Sequence, residues 1–309
     1  MKNLNFPRLL LAFLVIASVY SCRHDSPPVN PNDKLLLAEY RTQTQYIDDG
    51  YDETVNQTYS YGPRQGNFFF SCKPILSINF VDYGGSYNYT YENNRPATLV
   101  DNGNPGNDQG LWKFYYDNNN RIIKTGLAYQ VAAAPAVFDF FDYDARGNVE
   151  YAYRGVTKEN PTYYMKYLYN NANKLTGTEF YTKIPAAKNA SSTSLALPGY
   201  QMSVYTTISS DNKRNPFKQQ GRILFFHSNS GKAPFRGNLA DSYIALMDNN
   251  PLEVIYHYVL SGDDIITHTF NYTYNNKKYP VTNTEIISDP GYRGIGNVSR
   301  STQFTYINN

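Results

Sequence analysis

The sequence contains little cysteine, tryptophan, methionine or histidine, and its charges almost cancel. There are two Cys, one Trp, four Met and four His among 309 residues, and 28 Lys and Arg stand against 26 Asp and Glu. This balance argues against a nucleic-acid partner, which normally demands a basic stripe. The patterns HExxH, GxSxG and CxxC and a Gly-rich phosphate loop are all missing. We therefore predict no catalytic residues, no metal site and no cofactor.

The N-terminus has the organisation of an export signal. Lys2 and Arg8 precede an apolar run from Leu9 to Val19. A run of this length is too short to span a bilayer as a helix but suits the core of a signal peptide. We predict a signal peptide over residues 1–21, and its removal would leave equal numbers of basic and acidic side chains.

Cys22 ends this region, with Val19 three residues before it and Ser21 immediately before it. The arrangement resembles the lipobox of bacterial lipoproteins. The resemblance implies a lipid on Cys22 that holds the chain at the outer membrane, on its periplasmic or surface-exposed side. Residues 22–33 are then a polar, Pro-rich tether. The alternative is an ordinary secretory signal with a chance cysteine. If Cys22 carries lipid, Cys72 is alone and no intrachain disulfide can form.

Tyrosine is the abundant residue, with 31 Tyr beside 17 Phe. Both residues favour strands, and Tyr suits a half-buried face because its ring packs while its hydroxyl stays wet. An apolar period of 3.6 residues is hard to find after residue 40. Residues 34–40 are interpreted as a first strand, with one helical turn as the alternative. We treat residues 34–309 as a single domain.

A repeated unit follows the tyrosines. It consists of an aromatic residue, any residue, Tyr, then Asp, Asn or Glu, a short polar turn, Lys, Arg or Asn, and an apolar residue. The copies are Phe114–Ile122, Phe141–Val149 and Tyr167–Leu175, with shorter variants at Tyr89–Pro96, Tyr272–Lys278 and Phe304–Asn309. Tyr91, Tyr116, Tyr143 and Tyr169 are spaced 25, 27 and 26 residues apart. The regular spacing predicts one hairpin for each unit.

The chemistry of the unit is that of a β-hairpin. Alternating aromatics mark a strand with one buried face, and Asp, Asn and Gly supply the tight turn. The turns are predicted at 117–120, 144–148, 170–173, 261–263 and 275–277. We predict an all-β fold, a long antiparallel meander of hairpins curled into a barrel or strongly bent sheet. We expect about 12 to 16 strands, and the sheet should curl because an open meander of this length would expose its edges.

The units resemble the tyrosine–aspartate (YD) repeats of Rhs-type and teneurin shells. With the lipobox and tether, the chain is similar to bacterial lipoproteins whose domain of unknown function is porin-like in fold. The resemblance covers about 80–180 and 250–309 well and 184–250 poorly, where extra strands or a helix that plugs the barrel would fit. It implies no catalytic residues. A membrane-spanning porin is the competing interpretation, although it would require a lipid-facing apolar band.

His257 and His268 were considered as a metal pair. Alternation along the two strands places their side chains on opposite faces, which argues against a shared metal. The loops at 101–108 and 117–120 carry Asp and Asn but lack the ligand spacing of an EF-hand. Turn formation therefore accounts for them better than Ca²⁺ binding does.

Aromatic residues near irregular loops are the candidate ligand-binding residues. They are Tyr83, Tyr87, Trp112, Tyr163 and Tyr164. Trp112 leads this set because it is the only tryptophan and follows a turn-rich loop, with a core position as the alternative. We expect a non-enzymatic binding or structural protein of the cell envelope, with a glycan or peptide as ligand. The alternative is an envelope hydrolase acting on glycans or peptides, whose two acids would lie across a cleft.

Overall fold

The computed structural model describes residues 35–46, 51–61, 75–80, 85–93, 95–101, 110–128, 135, 137–184, 197–219, 242–260, 264–288 and 298–308. Residues 1–34, with the predicted signal peptide, the tether and Cys22, lie outside the described residues. The strands are β1 Leu35–Tyr46, β2 Tyr51–Tyr61, β3 Ile75–Phe80, β4 Gly85–Glu92, β5 Arg95–Asp101, β6 Gly110–Tyr116, β7 Ile122–Ala128, β8 Val137–Tyr143, β9 Val149–Gly155, β10 Tyr163–Tyr169, β11 Leu175–Lys183, β12 Tyr200–Ser210, β13 Pro251–Tyr258, β14 Asp264–Tyr274, β15 Pro280–Ser288 and β16 Val298–Asn308.

Each strand pairs antiparallel with its neighbours in sequence, and β1 also pairs with β16. The described strands therefore form one closed barrel of sixteen strands. They cover about half of residues 34–309. The predicted all-β antiparallel meander is confirmed, and so is the interpretation of residues 34–40 as the start of the first strand.

Alternation along the strands separates an inner face from an outer face. On β16, Thr302 and Phe304 are buried and point inward, whereas Ser301, Gln303 and Thr305 are exposed. The interior is filled mainly by aromatic and aliphatic side chains. Its most buried members include Tyr89, Leu99, Trp112, Phe114, Ile122, Phe141, Met165, Tyr167, Val254, Tyr256, Phe270 and Phe304. Burial of these rings accounts for much of the tyrosine and phenylalanine content.

The hairpin turns lie where the repeat predicts them. Strands are joined by turns at 117–120, 144–148, 170–173 and 275–277, and Asn120, Asn173 and Gly147 have positive φ values of 60°, 63° and 81°. Positive φ favours Asn and Gly, which explains their place in the motif. The turn at 261–263 lies outside the described residues, although β13 and β14 on either side of it are paired. The four described turns all follow even-numbered strands, so they lie at one end of the barrel, which we call the turn end. The connection at 261–263 follows β13 and belongs to the opposite end.

The acidic or Asn residue of each unit holds its own turn. The carboxylate of Asp117 accepts hydrogen bonds from the backbone N–H of Asn119 at 2.9 Å and of Arg121 at 2.8 Å. Asn275 accepts in the same way from Lys277 and Tyr279, both at 3.0 Å. The side chain therefore satisfies two N–H groups that the sheet leaves unpaired.

In the units of Tyr116 and Tyr143, the motif tyrosine links its hairpin to the one before it. The hydroxyl of Tyr116 donates to the carbonyl of Pro96 at 2.6 Å, and that of Tyr143 donates to the carbonyl of Ile122 at 2.6 Å. Each acceptor lies at the start of a return strand, 20 or 21 residues earlier. The motif tyrosines recur about every 26 residues, so the tyrosine of one unit lies next to the return strand of the preceding unit and can bond to it.

One copy of the turn is interrupted. Asp211 accepts from the N–H of Lys213 at 2.9 Å, as in the regular turns, but its second backbone donor is Asn250, 39 residues along the chain, at 3.0 Å. The N–H of Asp211 donates back to the Asn250 carbonyl at 3.0 Å, and Tyr274 donates to its carboxylate. Residues 212–249 are therefore an insertion into a turn of the repeat.

The described part of this insertion enters the barrel at the turn end. It forms α1, Pro216–Gln219, and a 3₁₀ helix, Ser242–Leu246. The ring of Phe217 lies 6.2 Å from that of Phe304, and the hydroxyls of Tyr243 and Tyr256 are 2.7 Å apart. The described residues of the 184–250 stretch, which the repeat left unassigned, thus form β12 and this plug. No helix in the described ranges is both long and apolar enough to cross a membrane.

Candidate functional site

Two charged clusters lie on the inner face of the barrel. In the first, Glu285 on β15 accepts from Nδ1 of His268 at 2.6 Å and from Arg300 at 3.3 Å. The carboxylate is about nine-tenths buried. Burial raises its pKa, but the bond from His268 and the charge of Arg300 outweigh that effect and hold the pKa of Glu285 below its ordinary value. His268 packs between the rings of Tyr256 and Phe270.

The second cluster joins Asp139 on β8 to Arg154 on β9. Both side chains are buried, and Arg154 Nη1 lies 3.8 Å from Asp139 Oδ1, beyond a normal hydrogen bond. Burial raises the pKa of Asp139 to about 7, and the nearby guanidinium only partly opposes the rise. Tyr163 lies beside the pair, and burial raises the pKa of its hydroxyl as well.

The Asp139 carboxyl should make the stability of the protein depend on pH. Between about pH 4 and pH 7 the unfolded chain has lost this proton while the folded chain retains it. The free energy of unfolding should therefore fall as the pH rises through that window, by up to about 4 kcal/mol from this group. An Asp139→Asn variant should lose this contribution, which urea unfolding at several pH values would measure.

Asp142→Asn is the matched control, because Asp142 lies on the same strand but faces outward, against Lys158. Its pH dependence should follow that of the wild type. If Asp139→Asn keeps the wild-type slope between pH 4 and pH 7, the protonated Asp139 is not a feature of the folded barrel.

The outer face carries an aromatic row that crosses the strands. Register places Phe140, Tyr153, Tyr164, Tyr181 and Met202 side by side on β8 to β12. The rings of Tyr164 and Tyr181 are stacked, with centroids 4.5 Å apart and planes 7° apart. Phe140 and Met202 at the ends are half-buried, whereas the three central tyrosines are buried.

Loop residues cover the centre of the row. The hydroxyl of Tyr200 donates to the carbonyl of Pro161, and the N–H of Leu197 donates to the hydroxyl of Tyr164 at 3.1 Å. Tyr181 donates to Glu179 at 2.8 Å. The central rings are therefore held in fixed positions by packing and by hydrogen bonds.

The row continues toward β6 as a half-exposed surface. Lys124 is the neighbour of Phe140 and places its ammonium 4.2 Å from the ring centroid of Tyr115 and 4.7 Å from that of Phe138. Tyr151 stacks on Tyr153, with centroids 5.8 Å apart. We call Tyr115, Lys124, Phe138, Phe140, Tyr151, Tyr153, Tyr164, Tyr181 and Met202 the outer aromatic surface.

The structure distributes the five candidate binding residues over different places. Trp112 is buried inside the barrel, edge-on to Tyr87 at a centroid distance of 6.5 Å. Tyr163 also faces inward, against Phe180 at 5.1 Å. Tyr164 alone belongs to the outer aromatic surface. Tyr83 lies outside the described residues.

The two histidines lie on opposite faces, as the alternation predicts. His257 faces outward and stacks on Tyr205, with ring centroids 4.3 Å apart and planes 5° apart. His268 faces inward, as described above. In the part of the chain that the structure describes, no three His, Cys, Asp or Glu side chains are grouped as metal ligands.

The outer aromatic surface was not found from sequence. Its signal is aromatic residues on both faces of one strand, as in VFDFFDY on β8 and YYMKYLY on β10. A strand with one wet face alternates aromatic and polar residues, as β14 and β16 do. Strands that break this alternation mark the region where the outer wall is also apolar.

No protein-family model matches the sequence, and no curated protein is significantly similar to it. Among solved structures, the chain is similar to a porin-like protein from Bacteroides uniformis, with 12% identity over 88% of this chain and 96% of that one and a TM-score of 0.51. A porin-like protein from Bacteroides vulgatus aligns with 10% identity over 88% and 99% of the two chains, with a TM-score of 0.35. The first similarity supports a porin-like barrel fold.

Proposed function

We propose that this protein is a lipid-anchored, non-enzymatic barrel of the bacterial cell envelope that binds glycans on its outer aromatic surface. The observation behind the ligand site is the aromatic row on β8 to β12, on a wall that is otherwise largely polar. The anchor is the lipid predicted on Cys22 at the outer membrane. Lipid labelling of the wild type and of a Cys22→Ala variant in cells tests it.

The outer wall away from this surface supports a barrel that faces water. The outward residues of β14 to β16 are mostly Thr, Ser, Asn and Gln, and most are exposed. They include Thr269, Asn271, Thr273, Thr282, Thr284, Ser301, Gln303 and Thr305. A membrane-spanning barrel needs an outward apolar band all the way round. A sheet wall of hydroxyl and amide groups, with aromatic packing in the interior, favours the lipid-anchored interpretation over a spanning porin.

The chemistry of the outer aromatic surface suits sugars. Half-exposed Phe138, Phe140 and Tyr151 offer ring faces for the apolar faces of sugar rings. Lys124 and Lys166 border the rings and supply hydrogen-bond donors, with Lys166 5.9 Å from the centroid of Tyr151. Because the neighbouring tyrosines are already packed, little conformational entropy is lost when a ligand binds.

The hydrolase alternative draws no support from the interior. The described inner-face acids Asp139 and Glu285 each lie beside a guanidinium on an adjacent strand, at 3.8 Å and 3.3 Å. These contacts join side chains on neighbouring strands of the barrel wall. A glycosidase pair would instead face each other across a cleft.

Binding should depend on the half-exposed rings. A glycan and peptide array probed with the Cys22→Ala chain should show glycan ligands, and a Phe140→Ser/Tyr151→Ser variant should bind them at least about tenfold more weakly, because two rings are worth a few kcal/mol. Isothermal titration with an array hit would give the affinity.

The control for this experiment is Ile286→Ser, which removes an apolar side chain that is 45% exposed on the opposite wall. It should bind like the wild type. Peptide ligands without glycan ligands would contradict the proposed ligand class. Glycan binding that is unchanged in the double variant would contradict the site.

A further inference from the structure

The chain enters the barrel at the turn end. β1 begins at Leu35, which pairs with Asn308 at the end of β16, and β16 runs in the same direction as the other even-numbered strands. Cys22 is 13 residues before Leu35, so an extended tether reaches at most about 45 Å. A lipid on Cys22 would therefore keep the turn end close to a membrane surface.

The turn end is basic. The described connections there, with the strand residue on each side of them, carry nine cations and five carboxylates. The cations are Arg95, Arg121, Arg146, Lys174, Lys213, Arg214, Lys218, Lys277 and Lys278, and the carboxylates are Glu92, Asp117, Asp144, Asp211 and Asp248. The same count at the opposite end gives Lys158 and Lys183 against Glu159 and Asp264. Among described residues, the excess of positive charge is thus confined to the end where the chain begins.

The repeat explains why the positive charge dominates at this rim. The carboxylates of Asp117 and Asp144 lie against their own turns and accept hydrogen bonds from the backbone N–H groups there. The guanidinium of Arg95 lies 4.5 Å from the ring centroid of Tyr116, and that of Arg121 lies 4.8 Å from that of Tyr143. Two of the cations are also paired with carboxylates, Arg121 with Asp117 at 2.8 Å and Lys218 with Asp248. The nine cations still exceed the five carboxylates by four, so the rim keeps a net positive charge.

We infer that the turn end is a docking surface for the anionic phosphate headgroups of a membrane. The Lys and Arg side chains of the turns bind the headgroups, and the barrel stands on the bilayer with its opposite end directed away from it. Attraction of this kind acts within a Debye length, about 10 Å in 0.1 M salt, so it requires the turn end to approach the surface closely. The inference goes beyond the proposed function and rests on it only for the lipid that brings this end to the membrane.

The test uses the full chain with Cys22→Ala, so that any binding is independent of lipid. Vesicles of phosphatidylcholine with 30% phosphatidylglycerol should bind it, and pure phosphatidylcholine vesicles should not. A Lys174→Gln/Lys277→Gln/Lys278→Asn variant should partition at least about tenfold more weakly. Asn is used at position 278 because Lys278 has a φ of 66°, which Asn tolerates. Circular dichroism confirms that each variant is folded.

The matched control is Lys113→Gln/Lys124→Gln/Lys166→Gln, which removes the same charge from the outer wall. It should keep wild-type partitioning within about twofold, and 0.5 M NaCl should abolish binding of both proteins. Equal losses in the two triple variants would overturn the inference, because net charge alone would then explain binding. Binding to dextran sulfate without binding to anionic vesicles would also overturn it. Glycan binding by the turn-end variant should be unchanged. A failure of the membrane-docking inference can therefore be told apart from a failure of the proposed glycan binding.

Discussion

Replacing Glu285 with alanine should lower the free energy of unfolding by about 3 to 5 kcal/mol. The change leaves Arg300 and His268 on the inner face without their shared acceptor, and a buried guanidinium has no cheap way to lose its charge. The loss would be measured by urea or guanidinium chloride unfolding, followed by tyrosine fluorescence and circular dichroism.

Two further variants separate this charge effect from simple truncation. Glu253→Ala removes an exposed carboxylate from the outer face of β13 and should change stability by less than about 0.5 kcal/mol. Glu285→Leu with Arg300→Met removes both charges and should recover much of the loss. A Glu285→Ala barrel as stable as the wild type would show that the three side chains are not buried together in solution.

Replacing Asp211 with alanine should cost about 3 to 4 kcal/mol, the second large effect. Its carboxylate accepts from Lys213 N–H, from Asn250 N–H and Nδ2, and from the Tyr274 hydroxyl. Each donor left without an acceptor costs about 1 to 3 kcal/mol, less where water can reach it. The bonds to Asn250 also hold together the two ends of a connection of 38 residues. Without the Asp211 carboxylate, these ends would be joined by fewer bonds, among them the one from the Asp211 N–H to the Asn250 carbonyl.

Asp144→Ala provides the comparison, because Asp144 accepts the equivalent bonds from Arg146 and Asn148 within an uninterrupted turn, without the tyrosine bond that Asp211 accepts. Its loss should be roughly half as large, since the ends of that turn are joined by only three residues. Limited proteolysis should cut the Asp211→Ala variant within 212–249 first. Equal destabilisation by the two substitutions would contradict the special role of Asp211 in closing the insertion.

The repeat made the fold predictable because its information is local. Asp117 and Asn275 each determine a turn through bonds to residues two and four positions ahead. Five consecutive residues are therefore enough to specify the turn. Alternation then fixes which side chains face inward, and this placed His257 and His268 on opposite faces. Closure of the sheet followed from the length of the meander, because an open sheet would leave two long edges.

Other features depend on residues that are distant in sequence. The turn of Asp211 could not be recognised because its partner, Asn250, lies beyond an insertion. The outer aromatic surface arises from register across β8 to β12, which no single strand reveals. Trp112 follows a polar loop, as many binding residues do, yet strand alternation places it inside the barrel beside Tyr87. Loop proximity and inward orientation are separate properties, and only the second decides burial.

Closure of the barrel has a consequence for the order in which the protein is made. β1 is synthesised first, but its partner β16 is completed last, so the Leu35–Asn308 pairing joins nearly the whole length of the folded domain. Contacts of such separation form slowly. Until they form, one side of β1 and one side of the newest strand present unpaired backbone groups to other chains. A nascent barrel is therefore exposed to aggregation until β16 pairs with β1, and a chain cut short before β16 would retain both unpaired edges permanently.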